Sequence, residues 1–250
     1  MRVDAIVLAG GDGAVIDPNC RFKGLVPISG RPMIEWVVDA MREAEMVESV
    51  AVVVPSAEDL GPWVDKVDKL VVSARSFMGN VLAGVESFRV DRPALVATGD
   101  LPTLRGEHVD DFVRASLATG ADFTYPLIPK ERMLEEFPGC ERTFVKLATG
   151  HVTGGNMMLV NPALVSKNSV LGQKMFEARK SPLHMARIVG PRFVWRLITG
   201  RLDPVEVAAK IEQIVGGSAA AIMSERGSIG MDVDKQADVL LVERLLAERS

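Results

Sequence analysis

The chain has 250 residues, 48% hydrophobic, 25% charged and 5% aromatic, with 29 Lys and Arg against 33 Asp and Glu and a net charge of −4. This is the make-up of a globular protein long enough to bury a sizeable core; the acidic balance excludes a nucleic-acid binder that works by bulk positive charge, and the scarcity of aromatic residues excludes a stacking platform for single strands. Cys20 and Cys140 stand far apart without metal or redox spacing, and no stretch approaches the ~20 apolar residues that span a bilayer, so the expectation is a cytoplasmic protein with no nucleic-acid and no membrane partner.

Val3–Leu8 is apolar but for Asp4 and predicts a buried strand. It stops at Gly10-Gly11-Asp12-Gly13, followed by a polar, proline-containing stretch over 14–23. Pro32 stands where a helix starts, and Met33, Ile34, Val37, Val38, Met41 and Ala44 recur at helical spacing, predicting a helix over 32–45. Val50–Val54 predicts a buried strand, 57–66 a polar helix, Leu70–Val72 a short strand, 77–88 a helix and Ala94–Thr98 another buried strand. That strand runs into Gly99-Asp100-Leu101-Pro102-Thr103. Val109, Phe112, Val113 and Leu117 then mark a helix, and Asp122–Ile128 a strand. Apolar rather than alternating strands, separated by helices, predict a mainly parallel sheet covered on both faces.

Beyond residue 128 the rhythm changes. Arg142–Thr149 and His151–Val160 predict two strands, and 162–200 several short helices rich in Met, Arg and Lys. Asp203-Pro204 opens a helix, with Asp203 as N-cap and Glu206 in the capping-box position. Ala219–Met223 predicts a strand, Ile229–Val233 another, and 236–247 the closing helix. No repeat, low-complexity tract or linker divides the chain. The expected fold class is α/β: one Rossmann-like, three-layer domain with a mainly parallel mixed sheet and a helix-rich carboxyl-terminal elaboration.

Ligands of such sheets bind beyond the carboxyl ends of the strands. The glycine loop and Gly99-Asp100 both follow apolar strands directly, which puts them on one edge. A loop without side chains lets backbone N–H groups crowd around an anion, phosphate above all. It is not a Rossmann fingerprint, because position 16 is Ile, nor a P-loop, because no Gly-Lys-Ser/Thr closes it. On the glycines alone, a tight turn after a strand accounts for it equally well.

The order of motifs goes further. Val7-Leu8-Ala9-Gly10-Gly11, then Lys23, Pro27 and Gly30-Arg31-Pro32, resembles the GT-A-type nucleotidyltransferases, whose opening Leu-Ala-Gly-Gly is followed by a lysine and a Gly-x-Pro before the first helix. Within that superfamily the likeness is to the MobA-like NTP transferases. It continues through Thr98-Gly99-Asp100-Leu101-Pro102, Thr153-Gly154-Gly155-Asn156 and Asp232-Val233-Asp234. The resemblance implies a single nucleotidyltransferase domain over 1–250, with 1–128 the nucleotide-binding half and 129–250 the acceptor-binding half and closing helix. It also implies Mg²⁺-dependent transfer of a nucleoside monophosphate from an NTP to a small phosphorylated acceptor, such as a sugar phosphate, with pyrophosphate released.

Attack by a phosphate oxygen on the α-phosphorus needs two anions placed in line and charge stabilised at a five-coordinate phosphorus. By the resemblance, Leu8, Ala9, Gly10, Gly11, Asp12 and Gly13, with Thr98 and Gly99, hold the nucleotide. Asn80, at the Met78-Gly79-Asn80 helix start, adds to its base or ribose side. Lys23 is the transition-state cation. Mg²⁺ takes oxygen ligands from one or two carboxylates. Asp100 is assigned the metal, and the second ligand is Asp234 or Asp232, with Asp234 preferred. Gly154, Gly155 and Asn156 line the acceptor pocket.

Plainer readings compete: Asp100 as an Asx-turn residue, Asp234 as a helix cap, the paired glycines as a bulge. The family usually carries an arginine four residues after the second glycine, where this chain has Val15. Arg21 is expected to take over that catalytic role. If it does not, the alternative is a catalytically weak nucleotide- or metabolite-binding regulatory protein. A glycosyltransferase of the same fold would favour Asp-x-Asp at the strand end, and Asp100-Leu101-Pro102 lacks the second Asp. His108, His151 and His184 stand alone and are assigned no chemistry. The stretch 170–200 reads as a helical lid or a subunit face, so a homodimer is a candidate assembly.

Overall fold

The computed structural model describes residues 1–88, 92–178 and 181–248. The amino-terminal half lays down β1 (Val3–Leu8), the short hairpin strands β2 (Pro27–Ile28) and β3 (Arg31–Pro32), α1 (Met33–Glu43), β4 (Val47–Val54), β5 (Lys69–Val72), α2 (Phe77–Glu86), β6 (Ala94–Thr98), α3 (Gly106–Thr119) and β7 (Phe123–Pro129). The rest adds α4 (Lys130–Glu136), β8 (Val145–Leu147), β9 (Gly150–Gly154), β10 (Met157–Val160), α5 (Pro162–Ala178), α6 (Pro182–Val189), α7 (Pro191–Ile198), α8 (Pro204–Val215), β11 (Ala219–Met223) and α9 (Gln236–Ala247).

Runs of Val, Ile and Ala make β1 and most of β4 buried on both faces, and these strands lie inside the sheet. Its order is β5-β4-β1-β6-β10-β7-β9-β8, with β11 beside β7. From β5 to β6 all pairs are parallel, as the amino-terminal pattern predicts. The sheet turns antiparallel at β10, which lies between β6 and β7. Gly155 and Asn156 break the expected strand His151–Val160 in two. β9 pairs with the end of β7, while β10 pairs with its start and with β6.

Helices cover both faces. Ile34, Val37 and Met41 of α1 and Val109, Phe112 and Val113 of α3 pack on Val3, Ala5 and Val7. Val81 and Val85 of α2 and Val165 of α5 pack on Ile6, Val53 and Val96 from the other side. Each such side chain contributes about 1.5–3 kcal/mol when fully buried. A further cluster joins Val239 and Val242 of α9 to Ile128, Met133 and Phe137, and it buries Met231 and Val233 completely. Met231 and Val233 anchor the segment that carries Asp232 and Asp234 beside the end of β6.

Several elements differ from expectation. The helix at 57–66 shrinks to a 3₁₀ turn at Pro62–Lys66, because positive φ at Asp59 (53°) and Gly61 (84°) breaks its first half. Pro32 is the N-cap of α1 rather than its first residue, since Arg31-Pro32 pairs with Pro27-Ile28. Ile229–Val233 is no strand: a 3₁₀ turn at Gly227–Gly230 runs into an irregular segment. Residues 162–178 form one long helix, and α4 falls where none is expected. The capping box at Asp203 and Glu206 forms as the sequence predicts. Among the described residues no helix is long and apolar enough to cross a membrane.

Candidate active site

Beyond the carboxyl ends of β1 and β6 lies a cleft of about 680 Å³. Two glycines allow its shape. Gly11 holds φ at +90°, a conformation that costs glycine little. A Cβ on Gly155 would come within 2.8 Å of the Ile229 and Pro126 side chains, so only glycine lets these segments close on the cleft wall. The N–H groups of Gly10 and Gly11 have no backbone acceptor among the described residues. Both glycines line the cleft, so two donors are left for a ligand.

Three segments far apart in sequence bring charge together there. Lys23 donates to Asp100 Oδ2, and its Nζ is 2.5 Å from Asp234 Oδ1. The Lys23 and Asp100 side chains are 14% and 16% exposed, that of Asp234 61%. Val233 N donates to Asp100 O at 3.0 Å, which ties the segment 231–234 directly to the end of β6. Asp238 Oδ2 accepts from Asp234 N at 2.9 Å and from Lys235 N at 3.2 Å. Asp238 thus does the reaching back at the start of α9, and the Asp234 side chain turns to Lys23 instead of capping the helix. Asp100 makes no Asx turn either: Oδ2 meets Lys23, and Oδ1 is buried without a partner. Oxygens of Asp100, Asp232 and Asp234 all lie within 4.8 Å of one another.

Carboxylates this close need counter-charge. Arg142 supplies part of it. Its Nη1 is 2.9 Å from Asp232 Oδ1, its Nη2 donates to Asp232 O, and its side chain is nine-tenths buried. Burial pushes the Asp232 carboxyl up to about 6, with Arg142 opposing and the Asp100 and Asp234 charges adding. Burial works against the Lys23 ammonium, but Asp100 and Asp234 outweigh it and raise its pKa. Burial disfavours the Asp234 carboxylate too, and the Lys23 bond overrides it, so that pKa is lowered. Lys23 is therefore a fixed cation at neutral pH, not a proton donor. Tyr125 of β7 lines the same cleft, and burial, then the Asp232 charge, raise its phenol.

The residues nominated from sequence divide plainly. Leu8, Gly10, Gly11 and Lys23, then Asn80, Thr98, Gly99 and Asp100, and from the far half Gly155, Asn156, Asp232 and Asp234, line this one cleft. Ala9, Asp12, Gly13 and Gly154 do not. Ala9 is buried in the core. Asp12 accepts from Ala14 N at 3.0 Å and caps the 3₁₀ turn Gly13–Val15. Gly13 packs on the Cys20 and Phe22 backbone, and Gly154 on the Tyr125 ring. Asn80 lines the cleft mainly as a builder: its Oδ1 accepts from Ser73 Oγ at 2.7 Å and Arg75 N at 3.0 Å.

Arg21, nominated to replace the arginine missing at Val15, is not brought to the cluster in this structure. Its Nη1 lies 2.8 Å from Glu58 Oε2, and its Nη2 donates to Glu58 O at 2.5 Å and lies 3.6 Å from Asp59. Tyr125 and Arg75, which line the cleft, and Arg142, which stands behind it on Asp232, are site residues that sequence reasoning missed. Arg142 sits in an irregular segment with no motif around it, and Tyr125 reads only as a strand residue. Arg75 lies one residue before the Ser76 cap of α2, a position where an arginine carries no signal of its own.

A family model described as the MobA-like NTP transferase domain matches residues 5–196. A solved structure described as a hypothetical transferase from Thermus thermophilus is 36% identical, with a TM-score of 0.85 over 96% of this chain and 100% of that one. CMP:2-keto-3-deoxy-manno-octonic acid synthetase, solved with CTP, shares the fold at 13% identity, with a TM-score of 0.64 over 100% of both chains. The bifunctional protein GlmU of Oceanobacillus iheyensis is 27% identical over 120 residues, which is 47% of this chain and only 26% of that protein.

Proposed function

The chain belongs to the MobA-like NTP transferase family, and from that premise we propose that it is a Mg²⁺-dependent nucleotidyltransferase. It moves a nucleoside monophosphate from an NTP to a small phosphorylated acceptor, a sugar phosphate or similar, and releases pyrophosphate. The observation that carries this reading is Lys23, held between Asp100 and Asp234 in the cleft that Gly10 and Gly11 line with free N–H groups. The amino-terminal half holds the nucleotide and the carboxyl-terminal half the acceptor.

The donor set fits a hard divalent cation. It consists of carboxylate oxygens only, and one of them, Asp100 Oδ1, is buried with no partner of its own. Asp100, with Asp232 and Asp234, would hold Mg²⁺, which when bound neutralises charge on triphosphate oxygens. The residues themselves do the rest. The Gly10 and Gly11 N–H groups meet phosphate oxygens. The Lys23 ammonium faces the charge that grows as an acceptor phosphate oxygen attacks the α-phosphorus and pyrophosphate leaves. A phosphate monoester is already a dianion above a pH of about 6, so the nucleophile needs no general base. Among the described residues no histidine lines the cleft. Asn156 faces the acceptor hydroxyls, and Arg75, a second cation lining the cleft beside Lys23, serves where Val15 cannot.

A second reading, a regulatory protein that binds nucleotide but transfers poorly, is favoured by Val15, 71% exposed, and by the attachment of Arg21 to Glu58. Pyrophosphate release separates the two. The protein is incubated with each NTP, Mg²⁺ and a panel of phosphorylated sugars and polyols. Transfer predicts release for at least one pair, abolished by Lys23→Ala. Nucleotide binding with no release from any acceptor selects the second reading, and failure to bind any NTP sinks both.

A further inference from the structure

Charge is unevenly placed along this chain. Residues 146–201 hold nine Lys and Arg and one acidic residue, Glu177, a net charge of +8, while the other 194 residues carry −12. Among the described residues of that stretch, Arg196 pairs with Glu206 at 2.7 Å, whereas Lys146, Arg192 and Arg201 make no ion pair.

The helix α7 lies in this stretch, and it has two apolar sides. Phe193 and Leu197 pack inward against the small buried cluster of Leu147, Val152 and Leu202, and Val194 is buried as well. Trp195 and Ile198, three residues apart and so on one flank of the helix, are 54% and 69% exposed. Basic groups lie nearby. The Arg201 guanidinium lies 5.0 Å from the Trp195 ring centroid. The Lys146 stem lies so close to Gly200 that a Cβ there would meet it at 2.7 Å. Arg192, exposed, is one turn before Trp195.

We propose that this face of α7 docks on the surface of an anionic lipid bilayer. Trp195 and Ile198 enter the headgroup boundary, and Arg192, Arg201 and Lys146 engage lipid phosphates. The chemistry matches that occupant. An indole has an apolar body and a polar tip, and lysine and arginine lay their stems along apolar surface while their charges reach phosphate. The acidic remainder of the chain is repelled by the same surface. A nucleic acid would use the cations but gains nothing from a projecting Ile198. A second copy of this chain would bring the same positive face against this one.

Vesicle sedimentation with the full chain tests this. The protein binds vesicles of phosphatidylcholine mixed with phosphatidylglycerol, not vesicles of phosphatidylcholine alone, and added salt releases it. Binding shifts tryptophan emission to the blue, and Trp195→Phe removes that shift. Replacing Trp195 and Ile198 together by Ser weakens binding about tenfold or more, and Arg192→Glu with Arg201→Glu abolishes it. Melting temperatures near that of the parent show that the variants fold, and the salt titration of the unmodified protein needs no variant at all. Absence of binding to the mixed vesicles, equal binding to both kinds, undiminished binding by both double variants, or stronger capture of an oligonucleotide than of the vesicles would each overturn the proposal.

Discussion

Two polar clusters in this molecule are separated by a few residues of chain and are built in opposite ways. In the first, His108 Nδ1 and Ser228 Oγ lie 2.6 Å apart, with both residues at most 3% exposed, and Ser228 N donates to Glu136 Oε2 at 2.9 Å. Burial, then the Arg226 charge, hold the imidazole down at about 4, so it is neutral. In the second, the Lys23 cluster, the groups are charged and face a cleft, and Asp100 Oδ1 and Arg142 Nε have no partner. A covered, satisfied pair fixes the fold. A charged set at an open sheet edge, with an acceptor left over, is completed by a ligand. A Ser–His contact is the more familiar catalytic sign, yet here it lies in the core and steadies the turn that leads to Asp232.

The largest test of that contrast removes the cation. Lys23→Ala is expected to cost about 10³ in kcat/KM, on the order of 4 kcal/mol, in keeping with loss of a principal transition-state charge partner. Asp100→Ala should abolish the Mg²⁺-dependent part of the thermal shift given by NTP. A Lys23→Ala enzyme with more than a tenth of the parent rate would place the chemistry elsewhere.

The covered cluster should answer in stability instead. His108→Ala is expected to cost about 2–3 kcal/mol in urea titrations while the folded protein keeps its rate. Its pH signature has a definite sign. The folded pKa of about 4 lies below the ordinary 6.5. Between those values the unfolded chain binds more protons, so the contribution is complete above about 6.5 and is lost as pH falls through about 4. The full span is roughly 3 kcal/mol. His108→Gln should flatten that slope, and an unchanged slope would mean that another group carries it.

Arg142 joins the open cluster to the protein frame. Arg142→Lys keeps the charge but loses the forked contact with the Asp232 carboxylate and carbonyl, so a fall of about 10–100-fold in Mn²⁺ affinity and in rate is expected. Calorimetry with the metal alone separates this from a general loss of fold. Equal affinity in the two proteins would leave Asp232 outside the metal site.

How far the sequence spoke depends on the kind of signal. Buried strands such as β1 and β6 announce themselves by apolar runs, and Asp100 by its place directly after one; Lys23 stands out only through the resemblance. The capping box at Asp203 is a local code and was readable as such. The 57–66 segment misleads because polarity at helical spacing does not reveal the positive φ of Asp59 and Gly61. The reversal at β10 depends on pairing between segments some sixty residues apart, which period alone cannot show. The choice between Asp232 and Asp234 stayed open in sequence for the same reason: what distinguishes them is Arg142 on one and Lys23 on the other, both contacts of long range.

Arg21 gives the smallest expected effect and the sharpest argument. The motif places it beside Lys23, and a missing arginine at Val15 invites it into the site. The structure instead gives its guanidinium to Glu58 and Asp59 on an exposed loop, with 46% of the side chain open to solvent. Exposed pairs of this kind contribute little, so Arg21→Ala should change kcat/KM by less than about threefold. Arg75, in the cleft wall, should lose about tenfold on the same change, since it acts on ligand charge rather than on the loop. The reverse order, Arg21 large and Arg75 small, would show that the segment 12–22 rearranges when the triphosphate enters. Arg21 would then leave Glu58 for the open cluster, and the static contrast between a loop tied to the surface and a cleft waiting for charge would have to be replaced by one in which the loop completes the cleft.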